Sequence, residues 1–426
     1  MILLYRDIFT LICIGLLVWG FIRIERTYQY PFFMGSMFAT FLLPQVYALV
    51  DNPGVVSQSA LEKVLLMSCL CAAACWFGYQ IPMDVKLLKK LNIIVDEKKL
   101  LQGGFVLMGI GYFFYYLLSR TVIQISESAG GTWTGPATIY YFFAQVLDIA
   151  FVIFILHLFK HFTFTNLIFA IAAGWMPFQA VLGGRRQPTM TFLVTIGMAL
   201  WIVYRLAPPR WLLIGSVALG AVLLPLIGEL RSKFWELLFS GQWDQILAVA
   251  QQTSEAVQKG DILELRNAAL FIDVVERKSL YGLGANWWDA IVFQYVPGQI
   301  VGFDFKQSLE FRLVTNSTLL QFYGYSLPVG TTITGVGDSF MEFGYLGCLA
   351  FAALACGFKY LWYSSVHDKN VLSAVFYIAL LSPSMVALTH GIGRFWQEII
   401  IKAIIVYILA LYSGTSKFSK SSTNTI

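Results

Sequence analysis

The sequence predicts an all-α polytopic membrane protein, with about eleven spanning helices and one large, partly helical extracytoplasmic loop. Three observations predict it. Of 426 residues, 58% are hydrophobic and only 12% charged, where soluble domains carry roughly 25% charge. Mean hydropathy is +0.69. Apolar stretches of membrane-crossing length recur along nearly the whole chain. A water-soluble fold cannot hide that much apolar surface, so lipid and neighbouring helices must solvate most side chains. The net charge of +5 therefore reports topology, and no nucleic-acid partner follows from it.

Apolar runs of about 17 to 25 residues fall near 8–22, 31–50, 61–81, 101–119, 138–159, 164–183, 189–206, 210–227, 339–362, 371–389 and 395–413. The first is expected to stay uncleaved, because no basic region precedes it and Arg23 and Arg26 come after it. The loops between runs split by charge. One alternate set holds fourteen cations: Arg23, Arg26, Lys86, Lys89, Lys90, Lys98, Lys99, Lys160, Arg205, Arg210, Lys359, Lys369, Lys417 and Lys420. The short connections of the other set hold only Arg6, Lys63, Arg120, Arg185, Arg186 and Arg394. Short cytoplasmic loops retain Lys and Arg, so the first set is expected inside, with the amino terminus outside and the carboxyl terminus cytoplasmic.

One membrane domain, residues 1–415, accounts for the chain, and the polar tail 416–426 is expected to be a disordered cytoplasmic segment. The outward loop 228–334 is too long to be a mere connector. Within it, Ile262, Leu265, Ala269 and Ile272 recur at helical spacing, which predicts an amphipathic helix over 261–280 lying at the outer membrane surface. The aromatic stretch 287–301 is shorter than a span and ends at Pro297-Gly298, as a re-entrant or interfacial segment would. All six cysteines lie inside apolar runs, which excludes a disulfide-stapled exterior. Cys69, Cys71 and Cys75 read as small buried hydrophobes, since no His or Asp accompanies them in their run.

Candidate chemistry lies among the exceptions on the outward side. Arg185 and Arg186 occupy a tight turn, Gly183-Gly184-Arg185-Arg186-Gln187-Pro188. Two readings fit them: a pair snorkelling to lipid headgroups, or a phosphate clamp that uses the planar, always-charged guanidinium fork. Arg394 closes a second short outward loop, Thr389-His390-Gly391-Ile392-Gly393-Arg394. His390 there is either a structural residue at a helix end or a titrating group. Arg231 emerges from a span at the same boundary, and Arg312 is a further outward cation that could equally be just solvated. Asp338 and Glu342, four residues apart at the start of a span, share one helix face. Capping explains Asp338 without chemistry. Glu342 lies a turn deeper, where a charge needs a partner, and an arginine is expected. No Walker loop or nucleotide fingerprint occurs, and no His and carboxylate ligands are seen spaced for zinc, so neither cofactor nor metal is expected.

Three stretches resemble the bacterial oligosaccharide repeat-unit polymerases, the Wzy-type O-antigen and exopolysaccharide polymerases. Gly282-Leu283-Gly284-Ala285-Asn286-Trp287-Trp288-Asp289-Ala290, followed by Val296-Pro297, is similar to that family's glycine-rich turn, aromatic-Asp-Ala run and proline step. Thr331-Thr332 and then Gly337-Asp338-Ser339-Phe340-Met341-Glu342-Phe343-Gly344-Tyr345-Leu346-Gly347 resembles its threonine-rich approach to a conserved helix motif. Gly184-Arg185 resembles its glycine-arginine turn. The chain departs from the pattern in carrying Gly298 after the loop proline, and Asp338 and Glu342 where glutamate and asparagine are usual.

The resemblance implies a GT-C-like, metal-independent glycosyltransferase in a bacterial inner membrane. It would join undecaprenyl-diphosphate-linked oligosaccharide units at the outer face, with membrane lipid and a chain-length regulator protein as further partners. Under it, Arg185, Arg186, Arg231, Arg394 and Arg312 would bind diphosphate, and Glu342, Asp338 or His390 would act as base. Two alternatives stand beside it: a ligase of the O-antigen type, and a flippase or transporter. The latter is disfavoured by polar residues that concentrate outside the spans rather than at the midplane.

Overall fold

The computed structural model describes residues 1–122, 124–126, 132–230, 233–259, 263–314, 316–328 and 330–414. The predicted tail 416–426 and Arg231 lie outside the described residues. Among the described residues ten helices are long and apolar enough to cross a membrane, and they occupy ten of the eleven predicted segments. The chain is thus an all-helical, multi-pass membrane protein, apart from one hairpin of three-residue strands, Gln124–Ser126 and Thr132–Thr134. The remaining segment forms the helix Arg210–Leu230, whose described apolar part, Arg210–Gly220, is shorter than a span.

Local chemistry explains where the spans bend. In the second span, Tyr30–Asp51, the turn Phe38–Leu42 is a π-turn just ahead of Pro44. Proline has no N–H for the carbonyl four residues back, so the ladder loosens there. The span Thr334–Val366 breaks at Gly344–Cys348, leaving a short outer helix, Thr334–Phe343, and a longer inner one, Leu349–Val366. The helix Val371–His390 is central, with most of its residues buried. Cys71 and Cys75 are fully buried on the Gln58–Gln80 helix, and all six thiols are free. They act as small packing residues where lipid offers no hydrophobic drive for helix pairing.

The two sets of loops gather at opposite ends of the bundle. At the cation-rich end, Lys160 pairs with Glu97 at 2.9 Å, Asn370 donates to the Ile93 carbonyl at 2.9 Å, and the Asp96 N–H reaches the Ser413 carbonyl at 2.8 Å. At the other end, Arg266 donates to the Asn52 carbonyl at 2.9 Å and Trp235 to the Val181 carbonyl at 2.8 Å. That second end carries the candidate site.

The loop between Leu230 and Thr334 holds short helices, and one of them corrects a sequence expectation. The helix Glu264–Lys278 does not lie at the membrane surface. Residues Asn267 to Val275 are all buried, enclosed by the outer ends of the second and third spans and by Thr334–Phe343. Its apolar spacing was legible; two of its polar residues, Asn267 and Asp273, are buried too, because each finds protein partners. Asn267 donates to the Thr331 hydroxyl and the Thr332 carbonyl, each at 3.0 Å, and accepts from Tyr325 at 2.8 Å. Asp273 pairs with Arg277 at 2.7 Å. The aromatic helix Ala285–Tyr295 packs on the last span, with the Tyr295 hydroxyl donating to the Gln397 carbonyl at 2.6 Å.

Candidate functional site

Asp338 and Glu342 share a buried face of the Thr334–Phe343 helix, as their spacing predicts. Each is held by the amino-terminal end of a different helix. Glu342 accepts from the Asn286 N–H at 3.0 Å and from the Gly284 N–H, at the start of Ala285–Tyr295. Asp338 accepts from the Gly393 N–H at 3.1 Å, at the start of Ile392–Ser413, and from the Trp287 indole at 3.0 Å. Helix starts present unpaired N–H groups and positive dipole ends, so carboxylates placed there are stabilised without a cation. This corrects the expected arginine partner: among the described residues Glu342 is satisfied by backbone. The glycine-rich turn follows from it, since a Cβ on Gly282 would meet the Glu342 carboxylate at 2.5 Å and the Asn286 amide at 2.8 Å. Gly391, at φ +113, is similarly pressed against Asp338.

The sequence-derived cations do not all converge. Arg186 and Arg394, at the starts of two spans, both lie within electrostatic reach of His390, at the end of a third. Arg394 is half-buried, donating to Gln397 at 2.8 Å and facing Glu398 at 3.9 Å. Arg185 turns instead to the Tyr141 hydroxyl at 3.1 Å, its guanidinium lying 5.4 Å from that ring centre. Arg312 is held locally by Glu310 at 2.5 Å, on a loop tied by its own N–H to Asp289 at 2.9 Å.

The structure adds Glu264, which the sequence analysis does not single out. It begins the buried helix beside Thr332, within reach of Arg186, and one carboxylate oxygen is buried with no hydrogen-bond partner among the described residues. Burial pushes its carboxyl up to about 7, against the lowering pull of Arg186 and Thr332. Thr332 also donates to the Thr389 carbonyl at 2.5 Å, and the Thr389 hydroxyl meets His390 Nδ1 at 2.7 Å. A cation pair, an imidazole and a carboxyl tuned near neutrality thus stand around one threonine-bridged corner. No family model, curated protein or solved structure matches the chain. The site is therefore argued from its geometry.

Inward from that corner runs a buried polar ladder, which corrects the expectation that polar residues concentrate outside the spans. Gln187 donates to Glu398 at 2.5 Å, and Lys402 pairs with Glu398 at 2.9 Å. Both ions are buried, and Asp148 interacts electrostatically with both. A cavity of about 20 Å³, lined by Arg394, Gln397, Glu398 and Lys402, adjoins them; that is room for about one water. At 1.5 Å rise per residue, Lys402 lies about 15 Å along its helix from the outer end, near the middle of a core roughly 30 Å thick. The sequence signal was available, since Glu398 and Lys402 are four apart inside a predicted span.

Among the described residues one group of side chains has the spacing of possible metal ligands. Glu97, His157 and His161, the two histidines one helical turn apart, bring ligand atoms within 4.8 Å of one another at the cation-rich end. Lys160 already occupies one oxygen of Glu97.

Proposed function

We propose that this protein is a glycosyltransferase that takes oligosaccharide units from undecaprenyl diphosphate and lengthens a surface polysaccharide, working at the Arg186–Arg394 end of the bundle. That end is outside if the cation-rich end faces the cytoplasm. The observation that carries the reading is the gathering of Arg186, Arg394, His390 and Glu264 from four separate helices. The acceptor hydroxyl attacks the anomeric carbon, the bond from that carbon to the diphosphate oxygen breaks, and the hydroxyl proton passes to Glu264. Undecaprenyl diphosphate leaves with the bonding electrons, and Arg186 and Arg394 neutralise the charge that develops. His390 orients the reacting groups from the Thr389 side. In this scheme Asp338 and Glu342 position the Ala285–Tyr295 and Ile392–Ser413 helix starts rather than touch substrate.

The test is lengthening of lipid-linked oligosaccharide by purified protein in lipid vesicles. Longer products that disappear in Arg186→Ala support the reading; their absence from the wild-type reaction overturns it.

A second reading is favoured by one observation, the half-buried Asp148 beside the buried pair Glu398 and Lys402 near mid-membrane. Ionisable groups at that depth often mark ion or proton paths. Proton flux across vesicles that carry the protein, lost in Glu398→Gln, would favour transport over transfer.

A further inference from the structure

At the cation-rich end, a cavity of about 420 Å³ opens among four spans, far from the arginine corner. Leu156, Ile202 and Val371 form its apolar wall, and Lys160, Arg205 and Lys369 bring three cations to it. No carboxylate is among its lining residues, and Lys160 spends its charge on Glu97 at 2.9 Å. Arg205 uses one N–H on the Val366 carbonyl at 3.2 Å and lies 5.7 Å from the Trp201 ring centre, so its remaining donors stay available. Lys369 is exposed, and its side chain makes no hydrogen bond or ion pair among the described residues.

Both cations also share an unusual backbone geometry, as do Arg312 and three uncharged residues elsewhere among the described residues. Arg205 and Lys369 both adopt left-handed conformations, φ +57 and φ +54, where glycine would be favoured. Arg205 ends the Arg186–Tyr204 span in the position usually given to glycine, and Lys369 stands just before Asn370, the cap of Val371–His390. Strain of this kind is retained where surrounding structure or function holds it.

We propose that this cavity binds the phosphate headgroup of an anionic phospholipid, with Arg205 and Lys369 on the phosphate and the apolar wall against the glycerol and the start of an acyl chain. The position fits, because the cavity sits where spans end and headgroups begin. The site is independent of the proposed transferase chemistry.

The experiment is native mass spectrometry of the full-length protein in detergent, supplied with phosphatidylglycerol or phosphatidylcholine, alongside thermal unfolding in inorganic phosphate. Phosphatidylglycerol should be retained preferentially, by roughly fivefold for each cation. Arg205→Gly and Lys369→Gly together remove both charges while suiting the left-handed backbone. They should bring retention near parity with thermal stability unchanged or raised. Lys369→Arg should keep the preference. Equal retention of the two lipids by wild type, or an undiminished preference in the glycine pair, overturns the proposal. Stabilisation by inorganic phosphate equal to that by phosphatidylglycerol overturns the lipid assignment.

Discussion

Lys402 Nζ donates to the Ala379 carbonyl at 3.0 Å, and Ala379 is the residue whose helical partner would be the N–H that Pro383 lacks. A proline inside a span frees the carbonyl four residues back, and in lipid such a group must find another donor. The lysine supplies it while pairing with Glu398. Lys402→Met therefore strands both a carbonyl and a buried carboxylate. The expected loss is about 3–5 kcal/mol, read as lowered thermal unfolding in detergent. Adding Glu398→Gln to Lys402→Met should recover part of it, because the carboxylate that lost its lysine is then neutral.

The capping of two helices by one buried face makes a sharp pair of predictions. Asp338→Ala leaves the Trp287 indole and the Gly393 N–H without their acceptor. At about 1–3 kcal/mol for each stranded donor, a loss of roughly 2–6 kcal/mol is expected. Asp338→Asn and Glu342→Gln retain an acceptor oxygen and should keep most transferase activity. A fall of a thousandfold in either amide variant, with folding intact, would restore that residue as base.

Glu264 predicts pH dependence of both rate and stability. As a base it must be ionised, so the rate should rise about tenfold per unit below pH 7 and level off above, and Glu264→Gln should flatten the profile. The folded carboxyl sits at about 7, above its ordinary value of 4.5. The protonated form is thus the one the fold favours. That contribution is complete below pH 4.5 and lost as pH rises through 7. At pH 8, Glu264→Gln should be more stable than wild type by up to about 3 kcal/mol. Parallel unfolding curves for the two proteins from pH 5 to 8 would count against the burial argument.

The two neighbouring arginines are expected to separate. Arg186→Ala should lower transfer by about a hundredfold or more, as loss of a donor to developing charge does. Arg186→Lys should recover only part, because an ammonium cannot offer the bidentate fork. Arg185→Ala removes a contact to Tyr141 and should change the rate by less than about tenfold if diphosphate is held by Arg186 and Arg394. Equal losses at 185 and 186 would extend the clamp to both.

The spans, the alternation of cationic loops and the shared face of Asp338 and Glu342 were legible because each is a local property. Hydropathy over a window, charge within a loop and a four-residue spacing need no knowledge of what lies opposite. The helix over 264–278 was legible as periodic but not as buried, since the same pattern serves a helix at a lipid surface and one whose polar face meets protein partners. Arg231 falls outside the described residues, so its part in the clamp rests on sequence alone.

By itself, then, the amino-acid order determined a helical membrane chain and the end of each helix at which its unusual residues lie. Partnership was decided only in three dimensions. Glu342 meets a backbone N–H from the glycine-rich turn, Lys402 fills a gap left by Pro383, and Arg186 stands by Glu264 while Arg185 turns away. The physical reason is that hydrophobic burial is set residue by residue, whereas a buried charge is satisfied by whichever donor or counter-charge the packing of distant segments delivers to it.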